Sequence, residues 1–156
     1  LSDRTMEYAG FNLLVGDSDS LWYLSNSSAP RDCAPRRLQP GLYGLSNASL
    51  DTPWPKVALG KTRLRALLAN NELDHDTLTT VVGDRQLADP QDLQRQGLGN
   101  DMDQILSAQF ITAGSYGTRS STTLWSDRQG LVHWRESSFD ERGDITGKRK
   151  ESFLLL

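Results

Sequence analysis

The stretch that most constrains the fold runs from Gln109 to Trp134, QFITAGSYGTRSSTTLWSDRQGLVHW. Phe110 and Ile111 open an extended run. Thr122-Thr123-Leu124-Trp125 is β-branched and aromatic, and Leu131-Val132-His133-Trp134 resumes the pattern after the polar turn Ser126 to Gly130. A helix cannot accommodate this spacing of turn residues, so the chain must build antiparallel sheet here. Between the first two expected strands lies Gly114 to Ser121. It combines two flexible backbone positions with a phenol, a guanidinium and several hydroxyls, which suits the wall of a binding site better than a core or a linker. Tyr116, Gly117, Thr118, Arg119 and Ser120 are therefore candidate pocket residues.

Upstream, Met6 to Val15 alternates as a strand covered on both sides. Gly16 to Ser20 turns it into Leu21-Trp22-Tyr23-Leu24-Ser25 as a hairpin. Asp17 and Asp19 do not make a calcium loop, because Leu21 stands at a ligand position and no glutamate follows at the twelfth. Asn26 to Gln39 reads as a polar surface loop and Leu42 to Asn47 as a short extended piece. Thr52 as N-cap and Pro53 at the first position start a helix to about Asn70, with Val57, Leu64, Leu67 and Leu68 as its apolar stripe. Asp74 or Asp76 caps a second helix. Residues 84–102 allow one short helical piece near Pro90 to Gln96 and are the expected insertion or lid. Ser138 to Lys150 is expected as a charged connection before a last strand or tail. Strands, then helices, then strands indicate an α+β layered architecture rather than regular βαβ alternation.

A chain of 156 residues fits one domain or half of a larger one, and its net charge of −3 gives no footprint for nucleic acid. No stretch is long and apolar enough for a membrane span, and the single cysteine, Cys33, suits a reducing, cytoplasmic setting. Cys33, His75 and His133 lack the paired spacings of a metal site, and no phosphate-binding glycine motif occurs, so neither metal nor cofactor is expected. Gly44-Leu45-Ser46-Asn47-Ala48 falls one residue short of a nucleophile elbow. It does not pass directly into a helix, and neither histidine is tied to it by spacing. Asn12, Ser46 and Asn47 are pocket candidates at strand ends, where amides either donate to a bound oxyanion or hold loops. Arg119 either clamps an anionic group or pairs with an acidic residue.

Four motifs add a further indication: Gly10-Phe11-Asn12-Leu13-Leu14, Pro40 to Ala48, Asp51-Thr52-Pro53-Trp54-Pro55-Lys56-Val57, and Ser115 to Thr122. In order and spacing, from about Tyr8 to Phe153, they resemble the carboxy-terminal half of the transport and Golgi organisation family. That family is marked by an Asn-Arg-Asp-Glu motif in its amino-terminal half. The resemblance implies an N-terminal-nucleophile-hydrolase-like αββα sandwich, of which this chain is a carboxy-terminal part. In the family, the nucleophile is a cysteine directly after the initiator methionine. Neither that cysteine nor the Asn-Arg-Asp-Glu run occurs here. The expectation is therefore a chain without catalytic residues of its own, inactive in isolation and partnered by the absent amino-terminal half. Amide hydrolysis would require that half; the alternative is a non-enzymatic carrier of a small anionic ligand or haem.

Overall fold

The computed structural model describes residues 7–27 and 34–154. Cys33, Met6 and the first part of the polar loop that begins at Asn26 include positions outside these ranges. The chain forms two compact units, Leu1–Thr52 and Pro53–Leu156. Both are built from antiparallel sheet, the second with helices added, so the chain is α+β as its element order suggested.

In the first unit, β1 (Asn12–Gly16), β2 (Leu21–Ser25) and β3 (Arg36–Leu38) form one antiparallel sheet in that order. Asn12 faces Ser25 and Gly16 faces Leu21. The connecting turn is closed by the Asp17 carboxylate, which accepts from the backbone N–H groups of Asp19 and Ser20 at 2.9 and 2.8 Å. Those bonds favour the ionised form and lower the pKa of Asp17. Expectation and structure differ at three places. The first strand begins at Asn12 rather than Met6, and it is an edge strand whose Leu14 and Val15 are exposed rather than covered on both sides. β3 lies inside the segment read as loop, since its two arginines hide a strand whose buried side chain is Leu38. The Arg36 guanidinium lies over the Tyr23 ring, 5.8 Å from its centroid, so the charged side chain meets an aromatic face. Leu42 to Asn47 is not a strand.

In the second unit, α1 (Pro55–Asn70) starts two residues later than Thr52 and Pro53 suggested. Pro55 takes the first helical position behind Trp54, while the Thr52 hydroxyl donates to Ser49 O at 2.9 Å. Asn71 ends the helix in the left-handed conformation. α2 (His75–Val81) is fixed by a capping box: the Asp74 carboxylate accepts from Thr77 N–H, and the Thr77 hydroxyl accepts from Asp74 N–H. α3 (Pro90–Gln94) falls where one short helix was expected. α4 (Asp101–Leu106) was not anticipated, and the same reciprocal cap, between Asn100 and Asp103, starts it.

A two-residue hairpin, β4 (Thr112–Ala113) and β5 (Tyr116–Gly117), precedes the sheet β6 (Ser120–Ser126), β7 (Leu131–Phe139), β8 (Ile145–Leu154). The expected connection from Ser138 to Lys150 is thus mostly strand. Its turn is confined to Asp140–Asp144, where the Asp140 carboxylate accepts from the N–H groups of Arg142 and Asp144 and Gly143 adopts φ 80°. Among the described residues, Val57, Leu93, Ala108, Phe110 and Val132 are the buried apolar residues of this unit. Phe110 meets Phe139 edge-on at 4.8 Å and lies under the Arg85 guanidinium at 4.5 Å.

Candidate functional site

The expected pocket residues fall into two groups, Asn12, Ser46 and Asn47 in the first unit and Tyr116 to Ser120 in the second. In the first group the polar atoms hold the chain together. Asn12 donates to Ala48 O at 3.1 Å and accepts from the Tyr23 hydroxyl at 2.6 Å, and that hydroxyl accepts from Leu50 N–H at 3.2 Å. The segment from 44 to 51 is closed by Gly44 and Asp51, whose backbone and carboxylate bond each other at 2.7 and 2.8 Å. Asp51 adopts φ 62°, a left-handed conformation that aspartate tolerates. Within this loop the Ser46 hydroxyl donates to Asn47 Oδ1 at 3.1 Å. No histidine occurs in this unit, so Ser46 has no imidazole base there.

The second group is built differently. Ile111 and Thr118 bind reciprocally: Thr118 N–H donates to Ile111 O, and Ile111 N–H donates to the Thr118 hydroxyl, both at 2.9 Å. Gly117 allows this closure, because a Cβ there would meet Ile111 O at 2.7 Å. Gly114 makes the turn at φ 63°. Arg119 follows, and its carbonyl accepts from Phe139 N–H at 2.9 Å, which fixes its backbone at the end of β7. The side chain is exposed and makes one hydrogen bond, from Nη2 to Ser115 O at 3.1 Å; among the described residues it has no carboxylate partner. Tyr116, in β5, is exposed as well. This is a rigid mount for a guanidinium with most of its donors free.

Sequence spacing gave no sign of the polar centre under α2. His75 and Thr123, 48 positions apart, are both buried, with Nδ1 and Oγ1 2.8 Å apart. Trp125 lies between the two histidines, 4.4 Å from the His75 ring and 5.0 Å from the His133 ring. Arg135 bonds Asp76 at 2.7 Å, His75 O at 2.6 Å and the Thr79 hydroxyl at 3.0 Å. Burial, followed by the charges of Arg135 and Lys150, lowers the pKa of His75. A histidine beside a threonine hydroxyl has the form of a base and nucleophile, but both side chains are sealed in the interior.

Lys56, within one of the four motifs, likewise carries no sequence signal of its surroundings. Its Nζ donates to Leu106 O at 2.7 Å and lies 5.4 Å from the Trp54 ring, while Gln109 donates to Lys56 O at 2.8 Å. Burial lowers the pKa of its ammonium, and it helps to line an open cleft of about 280 Å³ with Ser107 and Asp92. A second open cleft, of about 530 Å³, lies in the first unit beside Asp17, Arg37 and Tyr43. Neither cleft is lined by the expected pocket residues.

Comparison with known proteins decides the lineage. The family model described as Transport and Golgi organisation 2 matches residues 1–141. The chain belongs to the Transport and Golgi organisation 2 family. It is 35% identical over 150 residues to the human Transport and Golgi organization protein 2 homolog, covering 86% of this chain and 52% of that protein. It is 34% identical over 144 residues to the mouse Transport and Golgi organization 2 homolog, covering 84% and 51%. The chain thus spans about half the length of the curated family members it matches. No helix among the described residues is long and apolar enough to cross a membrane.

Proposed function

We propose that this chain is the ligand-recognising part of a cytoplasmic, N-terminal-nucleophile-like αββα protein, and that the Arg119 hairpin binds an anionic group of a small molecule. The observation that carries this reading is the exposed guanidinium on a fixed backbone, without a carboxylate partner among the described residues. A planar fork of N–H donors recognises carboxylate or phosphate through paired bonds. Amide hydrolysis then requires a nucleophile from polypeptide outside this sequence, the partner half of a larger domain. Within the chain, Ser46 donates to Asn47, and His75 is buried against Thr123. The same chemistry supports a second reading, binding without turnover, in which the propionates of haem or another carboxylate occupy the guanidinium.

Titrating the 156-residue chain with glutarate, inorganic phosphate and haem, alongside an amide-hydrolysis assay, tests both readings. Anion binding without turnover is the expected result. Binding of none of the three overturns the recognition role. Turnover that survives Cys33→Ala and disappears in Ser46→Ala replaces it with a serine mechanism.

A further inference from the structure

β8 has an unusual surface for a ten-residue strand, since every residue from Ile145 to Leu154 is exposed. A strand of that length ordinarily buries one face. Its inner edge pairs with β7 along nearly its whole length, from Ile145 opposite Phe139 to Leu154 opposite Leu131. Its outer edge has no neighbouring strand among the described residues, which leaves backbone donors and acceptors of alternate residues open.

The charges along β8 divide by face. Arg149 lies opposite Glu136 and bonds Glu151 at 3.3 Å, so that face is balanced. On the other face Lys148 and Lys150 lie two residues apart opposite Ser137 and Arg135, and neither has a carboxylate partner among the described residues. Arg135 is already engaged by Asp76. The ends of the strand are apolar, with Ile145, Phe153 and Leu154 about half or more exposed. Antiparallel pairing with a second copy about the strand centre, with matching faces together, brings Lys150 opposite a lysine, either Lys150 or Lys148 of the other copy. Like charges directly opposite destabilise a ladder. The edge therefore disfavours self-association and suits a strand with carboxylates two residues apart.

We infer that the free edge of β8 is a strand-addition site for an extended polypeptide segment whose acidic side chains face Lys148 and Lys150. The source is polypeptide beyond this sequence, since the chain spans only about half of each family member it matches. Backbone hydrogen bonds bind the segment, and the two lysines set its register and select against basic strands. This inference stands apart from the role of Arg119, which lies outside β8.

The test is hydrogen exchange at the β8 amides of the 156-residue chain with two synthetic ten-residue probes, one alternating threonine and glutamate, the other threonine and lysine. The threonine–glutamate peptide is expected to slow exchange at alternate β8 residues at least tenfold. The threonine–lysine peptide is expected to have no such effect. Lys148→Glu with Lys150→Glu should reverse the preference, while unchanged β7 exchange reports an intact sheet. If that double variant does not fold, Lys148→Gln with Lys150→Gln should abolish the slowing. No slowing by the acidic peptide, equal slowing by both peptides, or protection arising from dimers of the chain alone would each overturn the inference. Loss of anion binding in Arg119→Lys with β8 protection retained leaves it standing.

Discussion

Arg135 and Arg119 belong to the same unit and carry the same side chain, but their surroundings assign them opposite work. The Arg135 side chain is 14% exposed and its donors are spent on a carboxylate, a backbone carbonyl and a hydroxyl of α2. Arg119 is exposed, with one backbone carbonyl as its partner among the described residues. The difference separates holding the fold from offering chemistry. His75, Asn12 and Lys56 fall on the Arg135 side of that division, because each is occupied with neighbouring elements. A polar residue is available to a ligand only when the fold leaves its donors unused and its backbone fixed.

The sharpest way to break the comparison is Arg135→Ala. It removes the guanidinium from the Asp76 carboxylate, from the Thr79 hydroxyl and from His75 O, which keeps only the Thr79 hydroxyl as a side-chain donor, and it detaches α2 from β7. Urea unfolding should show a loss of about 2–4 kcal/mol. A loss no larger than that of an exposed surface residue would remove the structural assignment.

Next comes Gly143→Ala, at the turn that makes β7 and β8 a hairpin. The residue is buried at φ 80°, and an added Cβ would meet Arg85, Phe110 and Thr112 at 2.7–2.9 Å. Overpacking together with the left-handed backbone should lower stability by about 1–3 kcal/mol in the same assay.

A smaller effect should appear with pH. His75 has a lower pKa folded than unfolded, chiefly from burial and then from Arg135 and Lys150, so the unfolded chain takes up its proton first. Its contribution to stability is complete above the unfolded value of about 6.5 and falls as pH drops from there towards the folded value. Chemical denaturation between pH 7.5 and 5 should show this slope, and His75→Gln should flatten it. An equal slope in the variant would place the titration elsewhere.

What the sequence showed and what it hid follow from how far each interaction reaches along the chain. α1 was legible because proline at its start and an apolar period are local signals, although the cap moved to Trp54. The strands β6 and β7 were legible from β-branched and aromatic runs. β3 and the first part of β8, from Ile145 to Lys150, were not, because arginine and lysine suit an exposed edge strand as well as a loop and leave no alternation to read; the end of β8, from Glu151, was legible as a last strand or tail. α4 was hidden in a polar segment whose reciprocal Asn100–Asp103 cap is the main local signal. The distinction between the two arginines was beyond sequence reading, since the partners of Arg135 lie 56 to 60 positions away. The glycine-pinched stretch around Arg119 could be read only in part: Ile111 and Ser115 are near in sequence, but β5 and the start of β6 lie inside the stretch expected as a turn, and Phe139, which fixes the Arg119 backbone, comes from β7.

The measurement closest to the central claim is titration of wild type and Arg119→Lys with glutarate and inorganic phosphate at matched ionic strength, with melting temperature recorded for both. Lysine keeps the charge but loses the planar fork. Affinity should fall about tenfold or more, corresponding to about 1.4 kcal/mol, with the melting temperature unchanged. Equal affinities with equal melting temperatures would contradict the clamp, and a large fall in melting temperature would place Arg119 with Arg135 as a residue that holds the fold.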